Sequence, residues 1–404
     1  MIVALDQSPC SDVLPIKPRR AVLIAWALMA TLNLSAGIVI ASWPERQWDL
    51  DSMRRWGRQF VAGSNTYITG QDFPGYPPYA IVALSPLGTL PARWAVPVWA
   101  ALNLSMALAA PYLAVRAVSP AATLSTAILP ILMFLCWGGF RTLLQFSLLA
   151  LTLGLAAIVL ADRRPRWSGI CLGLALMKPQ MSAPFLFWAL FTRRLRVAGV
   201  AVAVVSVGFA LYCLRVQSNP VSLVQRYLDI LYTMFGSEAG IGLIGLTEFR
   251  PLIALVVANP VVVDSLGAAI SLSLLTAICI HGFAEGTRTS ALMFSAPPLA
   301  GIWSLLTFYH LTYGFILLLP TATALLFTND PQTVTLRRKV FWALQLGLMV
   351  DIPGLSRRFR PMLGVPAAVD VFMLHADRAL LVALFACMCM LSAKIGREGV
   401  QFRN

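Results

Sequence analysis

The sequence predicts an all-α polytopic membrane protein, a bundle of about twelve transmembrane helices with amphipathic helices on its outer face. Three observations carry this. Of 404 residues, 58% are hydrophobic and only 12% charged, about half the charge of an ordinary soluble domain. Apolar runs at 21–42, 94–115 and 140–161 each reach the roughly 20 residues that cross a bilayer's hydrocarbon core. These runs lack the alternation of a membrane barrel, which leaves helices as the way to satisfy peptide groups in lipid.

The elements follow in order from the apolar runs and the basic residues between them. Lys17, Arg19 and Arg20 hold 1–20 in the cytoplasm, and the first span exits near Trp43. That span exceeds a signal peptide's apolar core and shows no small-residue cleavage site, so it is expected to be retained. Residues 43–91 then form a first extracytoplasmic loop with interfacial helices. Spans at 92–115, one ending near Trp137, and 140–161 lead to a cytoplasmic cluster at 162–166. Two short apolar stretches, 168–177 and 181–191, read as abbreviated passes interrupted by Lys178-Pro179-Gln180. A span at 197–213 leads to a second extracytoplasmic segment, 215–250, whose mixed character fits surface-lying helices. Spans near 261–282, 291–307, 311–327, 340–350 and 380–393 return the tail, 394–404, to the cytoplasm. The whole of 1–404 reads as a single integral membrane domain.

The formal charge of +14 is absorbed by these orientation signals, which argues against a nucleic-acid partner. Seven scattered cysteines have no metal-like spacing. No cofactor is expected.

The first outer loop carries the chemistry. Leu50, Met53, Trp56 and Phe60 recur at helical spacing, which predicts an amphipathic surface helix. Asp49 shares a face with Met53, Trp56 and Phe60, whereas Asp51 stands three, four and seven residues before Arg54, Arg55 and Arg58. Asp51 therefore reads as a solvated ion-pair partner. Asp49, turned toward the protein or the membrane boundary, is either a helix N-cap or a functional carboxylate. Downstream, Phe73-Pro74-Gly75-Tyr76-Pro77-Pro78-Tyr79 precedes an apolar stretch at 80–90 too short to span, which predicts a helix lying at the interface. Lys178 is a phosphate contact or a lysine snorkelling to an interface. His310, unlike His281 and His375, lies near the outer end of a span, as a structural hydrogen-bond partner or a functional group.

An acid, then Gly63 and Tyr67, then Tyr76-Pro77-Pro78 before an apolar helix with Trp99 and Asn103 resembles glycosyltransferase family 87. Further matches run in order: Gln145 with Ser147, Gly169 and Gly173 before Lys178-Pro179, and Tyr309-His310 before Leu317-Leu318-Leu319-Pro320. The resemblance covers most of 20–330. It departs at Leu144-Gln145, where the family commonly has Gly-Gln.

The resemblance implies a GT-C-like bundle and a polyprenyl-phosphate sugar as donor, with a glycan or glycolipid acceptor, membrane lipids as partners and mannose as the first sugar to try. It aligns Asp49 with the family's first-loop catalytic acid and leaves Asp51 as runner-up. It implies an inverting transfer at the extracytoplasmic side of a bacterial inner (plasma) membrane, with Asp49 as general base and His310 orienting the sugar, the acceptor or the donor phosphate. Lys178, Gln145, Arg54 and Arg55 are then candidates for the donor and its phosphate, and Tyr67, Tyr76, Asp51 and Tyr309 for the substrate. Arg357, Arg358 and Arg360 serve as interfacial anchors or draw anionic lipid headgroups. A transporter or flippase of lipid-linked sugar is the rival class, because Lys178, Gln145 and His310 also suit a translocation path; it should show paired halves, and no internal repeat is visible. A lipid-binding scaffold is a third.

Overall fold

The computed structural model describes residues 20–41, 48–68, 74–137, 145–235, 250–285, 289–308, 312–327, 334–350 and 378–391. Among the described residues every regular element is helical. In chain order these are α1 (Arg20–Ala41), α2 (Trp48–Val61), α3 (Pro78–Thr89), α4 (Ala92–Val118), α5 (Leu124–Leu135), α6 (Ser147–Leu160), α7 (Pro165–Ala175), α8 (Pro179–Phe191), α9 (Leu195–Val216) and α10 (Pro220–Phe235). A turn, α11 (Arg250–Ile253), precedes α12 (Pro260–Glu285) and α13 (Thr289–Thr307); a 3₁₀ segment (Thr312–Leu318) runs into α14 (Leu319–Phe327), then α15 (Val334–Val350) and α16 (Arg378–Leu391).

Four helices are long and apolar enough to cross a membrane by length and composition: Arg20–Val39, Arg93–Val118, Leu195–Val216 and Pro260–Ile280. Shorter apolar helices at Leu124–Leu135, Ser147–Leu160, Gly314–Phe327 and Arg378–Leu391 accompany them. Among the described residues these four full-length helices do not confirm the expected count of twelve. Within the apolar run at 140–161 the described part is α6 from Ser147, preceded by Gln145 and Phe146; 140–144 lie outside the described residues. The two abbreviated stretches are α7 and α8, of 11 and 13 residues, about 16–20 Å of helix each at 1.5 Å per residue. Pro165 and Pro179 start them at the position where a missing N–H costs nothing.

Close crossings give the bundle its layers. At Gly173 an added Cβ would lie 2.6 Å from Val204 Cβ, and at Gly169 it would lie 2.5 Å from Val200 Cβ; these two glycines, one turn apart, let α7 lie directly on α9. Gly57 and Gly88 do the same for α2 and α3, where a Cβ on Gly88 would lie 2.8 Å from the Arg54 carbonyl oxygen. The α2–α3 pair packs on α9, α7 packs on α6, and α6 packs on α4 and α8. On the other flank α8 meets α13, which bridges to α12 and α14.

Two polar side chains from distant helices close the end of α5. Asn33 of α1 donates to the carbonyls of Leu135 (2.7 Å) and Trp137 (2.9 Å). Gln345 of α15 donates to Met133 O (3.0 Å) and accepts from Trp137 Nε1 (2.9 Å). Carbonyls at a helix end have no partner within the helix, and in an apolar setting each needs one. The chain therefore leaves α5 at a fixed point, a few residues before Gln145.

The sequence predicts helices at 48–61 and 80–90, and α2 and α3 form there; α2 keeps an exposed face with Asp51, Arg55 and Arg58 and packs its other face on the protein. Leu50, Met53 and Trp56 are buried on α2, and Tyr79, Ala80, Ile81 and Leu84 on α3. The same apolar stripe that suits a lipid surface has found a protein surface.

Candidate functional site

The N-terminal end of α6, the turn between α7 and α8, the ends of α9 and α13 and the α2–α3 pair meet at one end of the bundle. Asp49 enters from the first turn of α2. Gln145 Nε2 donates to Asp49 Oδ2 across 96 positions of sequence. Lys178, in the turn before α8, is 5% exposed and donates from Nζ to Ser147 Oγ at 2.6 Å. The Asp49 carboxylate is the anion whose field reaches the Lys178 ammonium. Three segments remote in sequence thus bring an acid, an amide and an ammonium together, and all three are residues the sequence singled out.

Helix geometry reinforces this. The unpaired N–H groups of a helix start carry partial positive charge, and both α6 and α8 begin at this cluster. A lysine at such a position is electrostatically unfavourable, and Asp49 offsets it. The Gln145 carbonyl oxygen is buried without a hydrogen-bond partner among the described residues, so the cluster retains an acceptor.

An aromatic wall flanks the cluster. The Lys178 ammonium stands 5.9 Å from the Tyr76 ring centroid, within cation–π range. Tyr76 meets Phe146 edge-on at 5.8 Å and Trp56 at 6.3 Å, and Phe146 meets Trp99 at 4.5 Å. Trp99 and Phe146 are fully buried, so Tyr76 is the member nearest open space.

Tyr67 is fully buried, and its hydroxyl donates to the Tyr76 carbonyl at 2.5 Å. Burial raises this hydroxyl well above the ordinary tyrosine value, with Tyr212 and Tyr227 adding to the rise, so it stays a donor. Beside it, Thr66 and Tyr212 share a 2.6 Å hydroxyl contact, and the Thr66 N–H donates to Tyr212 Oη at 3.1 Å. Asn65 donates to Ser218 Oγ at 3.3 Å. Arg215 donates to the Val61 carbonyl, next to Gly63, whose φ of +80° favours glycine. These contacts clamp the segment after α2 onto the end of α9. Tyr212 and Ser147 are not among the sequence's site candidates; the available signal is a polar side chain near the end of a mostly apolar helix.

The remaining candidates sort as follows. Asp51 is half-exposed and pairs with Arg54 at 3.3 Å, the ion pair its spacing suggested. Arg54 is nonetheless buried, and also donates to the Leu90 carbonyl at 3.2 Å. Arg55 is exposed and donates to Ser52 Oγ at 3.1 Å. Tyr309, His310, His375, Arg357, Arg358 and Arg360 lie outside the described residues, as does the side chain of His281. On the far flank, Ser304 of α13 donates to the Gln180 carbonyl, two residues beyond Lys178.

No curated protein and no solved structure matches the chain. The family model described as glycosyltransferase family 87 matches residues 73–296, more than half of the chain, and that stretch contains Tyr76, Gln145, Ser147 and Lys178. The chain accordingly belongs to glycosyltransferase family 87.

Proposed function

We propose that this protein is an integral membrane glycosyltransferase that moves a sugar, mannose first, from a polyprenyl-phosphate donor to a glycan or glycolipid at the extracytoplasmic face, with inversion. The observation that carries the reading is the convergence of Asp49, Gln145 and Lys178 at the start of two helices. An ammonium and two helix starts beside one carboxylate suit a reaction that releases a phosphate and needs one base.

In this mechanism Asp49 takes the proton of the acceptor hydroxyl as its oxygen attacks the anomeric carbon. The bond from that carbon to the phosphate oxygen breaks, and the phosphate departs with the electron pair. Gln145 holds Asp49 through Oδ2, leaving the other carboxylate oxygen for the acceptor, while its own carbonyl accepts from a sugar hydroxyl. Lys178 and the helix starts stabilise the leaving phosphate, a weak base that needs cations more than a proton. Tyr76 supplies an apolar face for the sugar ring. His310 is assigned to the same pocket on the family pattern. The apolar helices support a membrane protein; in this reading it is a single multi-pass domain of a bacterial inner membrane.

The test is a donor panel. Purified protein in lipid is given polyprenyl-phosphate mannose, glucose, galactose and arabinofuranose with a lipid extract as acceptor, and the release of polyprenyl phosphate and the anomeric configuration of the product are followed. Turnover of one donor with inverted configuration supports the reading. Turnover with nucleotide sugars alone, or retained configuration, refutes it.

A further inference from the structure

The end of the bundle opposite the Asp49 cluster concentrates positive charge. Helices α6 and α8 start at the cluster and finish about 20 Å away at 1.5 Å per residue, in two turns that lead into α7 and α9. Both turns lie in the continuous described stretch 145–235. The first reads Arg163-Arg164-Pro165-Arg166 and the second Arg193-Arg194-Leu195-Arg196, the same order of arginines thirty positions on. Arg163, Arg164, Arg166, Arg193 and Arg196 are exposed. Residues 73–228 contain one acid, Asp162. It pairs with Arg194, whose guanidinium also lies 5.1 Å from the Trp188 ring centroid.

Packing places the two turns side by side. Gly169 meets Val200 and Gly173 meets Val204, so an advance of one turn on α7 matches an advance of one turn on α9. The two helices therefore run parallel and start level, which brings Arg166 and Arg196 to the same height. Neither start is capped by a side chain, so each adds the partial positive charge of its N–H groups to that of the arginines. Orienting a chain in a membrane requires only the sign of such clusters. It does not require two of them to stand level on touching helices, where like charges repel. An anion shared by both turns offsets that repulsion.

The surroundings suit a lipid anion better than a soluble one. Trp167 and Leu195 are exposed among the arginines, and tryptophan beside basic residues is at home at a membrane–water boundary. Beyond Leu195, α9 carries exposed Val202, Val207 and Leu211 and is long and apolar enough to span. A headgroup at the arginines thus leaves its acyl chains on apolar helix surface. We propose that the paired turns bind an anionic phospholipid of the bilayer, its phosphate between Arg166 and Arg196 and its chains along α9. In the orientation proposed above this is the cytoplasmic leaflet; the site itself is independent of the sugar-transfer reading.

The test uses the full-length protein in neutral detergent, with native mass spectrometry against equal amounts of phosphatidylglycerol, phosphatidylethanolamine and phosphatidylcholine. Phosphatidylglycerol is retained most. Arg166→Gln with Arg196→Gln lowers its retention about thirtyfold, the scale of two arginine–headgroup attractions, and brings it to the level of the zwitterionic lipids. The control pair, Arg58→Gln with Arg226→Gln, removes the same charge from exposed positions on α2 and α10 and leaves retention unchanged. Should the first pair not fold, Arg163→Gln with Arg193→Gln, both exposed in the turns, gives the same loss. Equal retention of the three lipids overturns the proposal, as does an equal loss in the control pair. Displacement of phosphatidylglycerol by millimolar inorganic pyrophosphate at constant ionic strength also overturns it, since the turns would then serve a soluble phosphate.

Discussion

Gly173→Ala is the most direct probe of how the backbone carries the Lys178 turn. The added methyl would stand 2.6 Å from Val204 Cβ and 2.9 Å from the Ala201 carbonyl oxygen, where carbon contacts settle near 3.5–4.0 Å. Helices α7 and α9 must part by about 1 Å. Overpacking of this kind costs about 1–3 kcal/mol, against up to ~1 kcal/mol returned by replacing glycine with alanine in a helix. The net expectation is a loss of about 1–2 kcal/mol. Gly199, on α9, is the control: a Cβ there meets nothing within 4 Å, so Gly199→Ala keeps only the helix-propensity gain. In a thermal unfolding assay on protein in lipid nanodiscs, Gly173→Ala melts below wild type and Gly199→Ala at or above it. Because Lys178 lies five residues beyond Gly173, sugar transfer falls in Gly173→Ala more than its stability loss explains. Equal melting temperatures for the two variants would refute the close-crossing argument.

Further predictions follow from the site. Lys178→Met keeps the buried aliphatic stem but removes the ammonium, and should lower kcat by about 10²–10³-fold, the scale of losing one preorganised charge partner, with the fold retained by circular dichroism. Ser147→Ala removes only the 2.6 Å contact that holds that ammonium, and a loss of about tenfold in kcat/KM is expected, with a smaller loss in Ser147→Thr. Tyr67→Phe removes the hydroxyl that donates to the Tyr76 carbonyl, at a cost of about 0.5–1.5 kcal/mol measured by unfolding, and raises KM because Tyr76 is held less firmly. A double-mutant cycle of Thr66→Val and Tyr212→Phe should give a coupling of about 0.5–1.5 kcal/mol; zero coupling would show that the clamp on α9 is not a working contact.

Much of this was readable in the residues themselves, for reasons that differ by element. The spacing of Leu50, Met53 and Trp56 identified the inward face of α2, because a 3.6-residue period fixes which side chains share a side. It does not identify what that face packs on, which only the α2–α3 crossing supplies. The same limit explains Arg54. A charge pattern pairs it with Asp51 correctly, but only the α2–α3 crossing at Gly57 and Gly88 shows its guanidinium reaching Leu90. Asp49, Gln145 and Lys178 were each singled out on hydropathy context and family pattern, yet their meeting depends on long-range packing that no local window contains. Asn33, Tyr212 and Gln345 do not stand out in the sequence because a polar residue in a mostly apolar helix signals a partner without naming it.

The central claim is that Asp49, and not its neighbour Asp51, is the base. Rates of sugar transfer from the donor identified by the panel, measured side by side for Asp49→Asn and Asp51→Asn at matched folded protein, test this most directly. The account predicts loss of turnover by about 10²–10⁴-fold in Asp49→Asn and near-normal rates in Asp51→Asn, whose carboxylate pairs with Arg54 at the half-exposed edge of α2. Full activity in Asp49→Asn, or loss confined to Asp51→Asn, would contradict it.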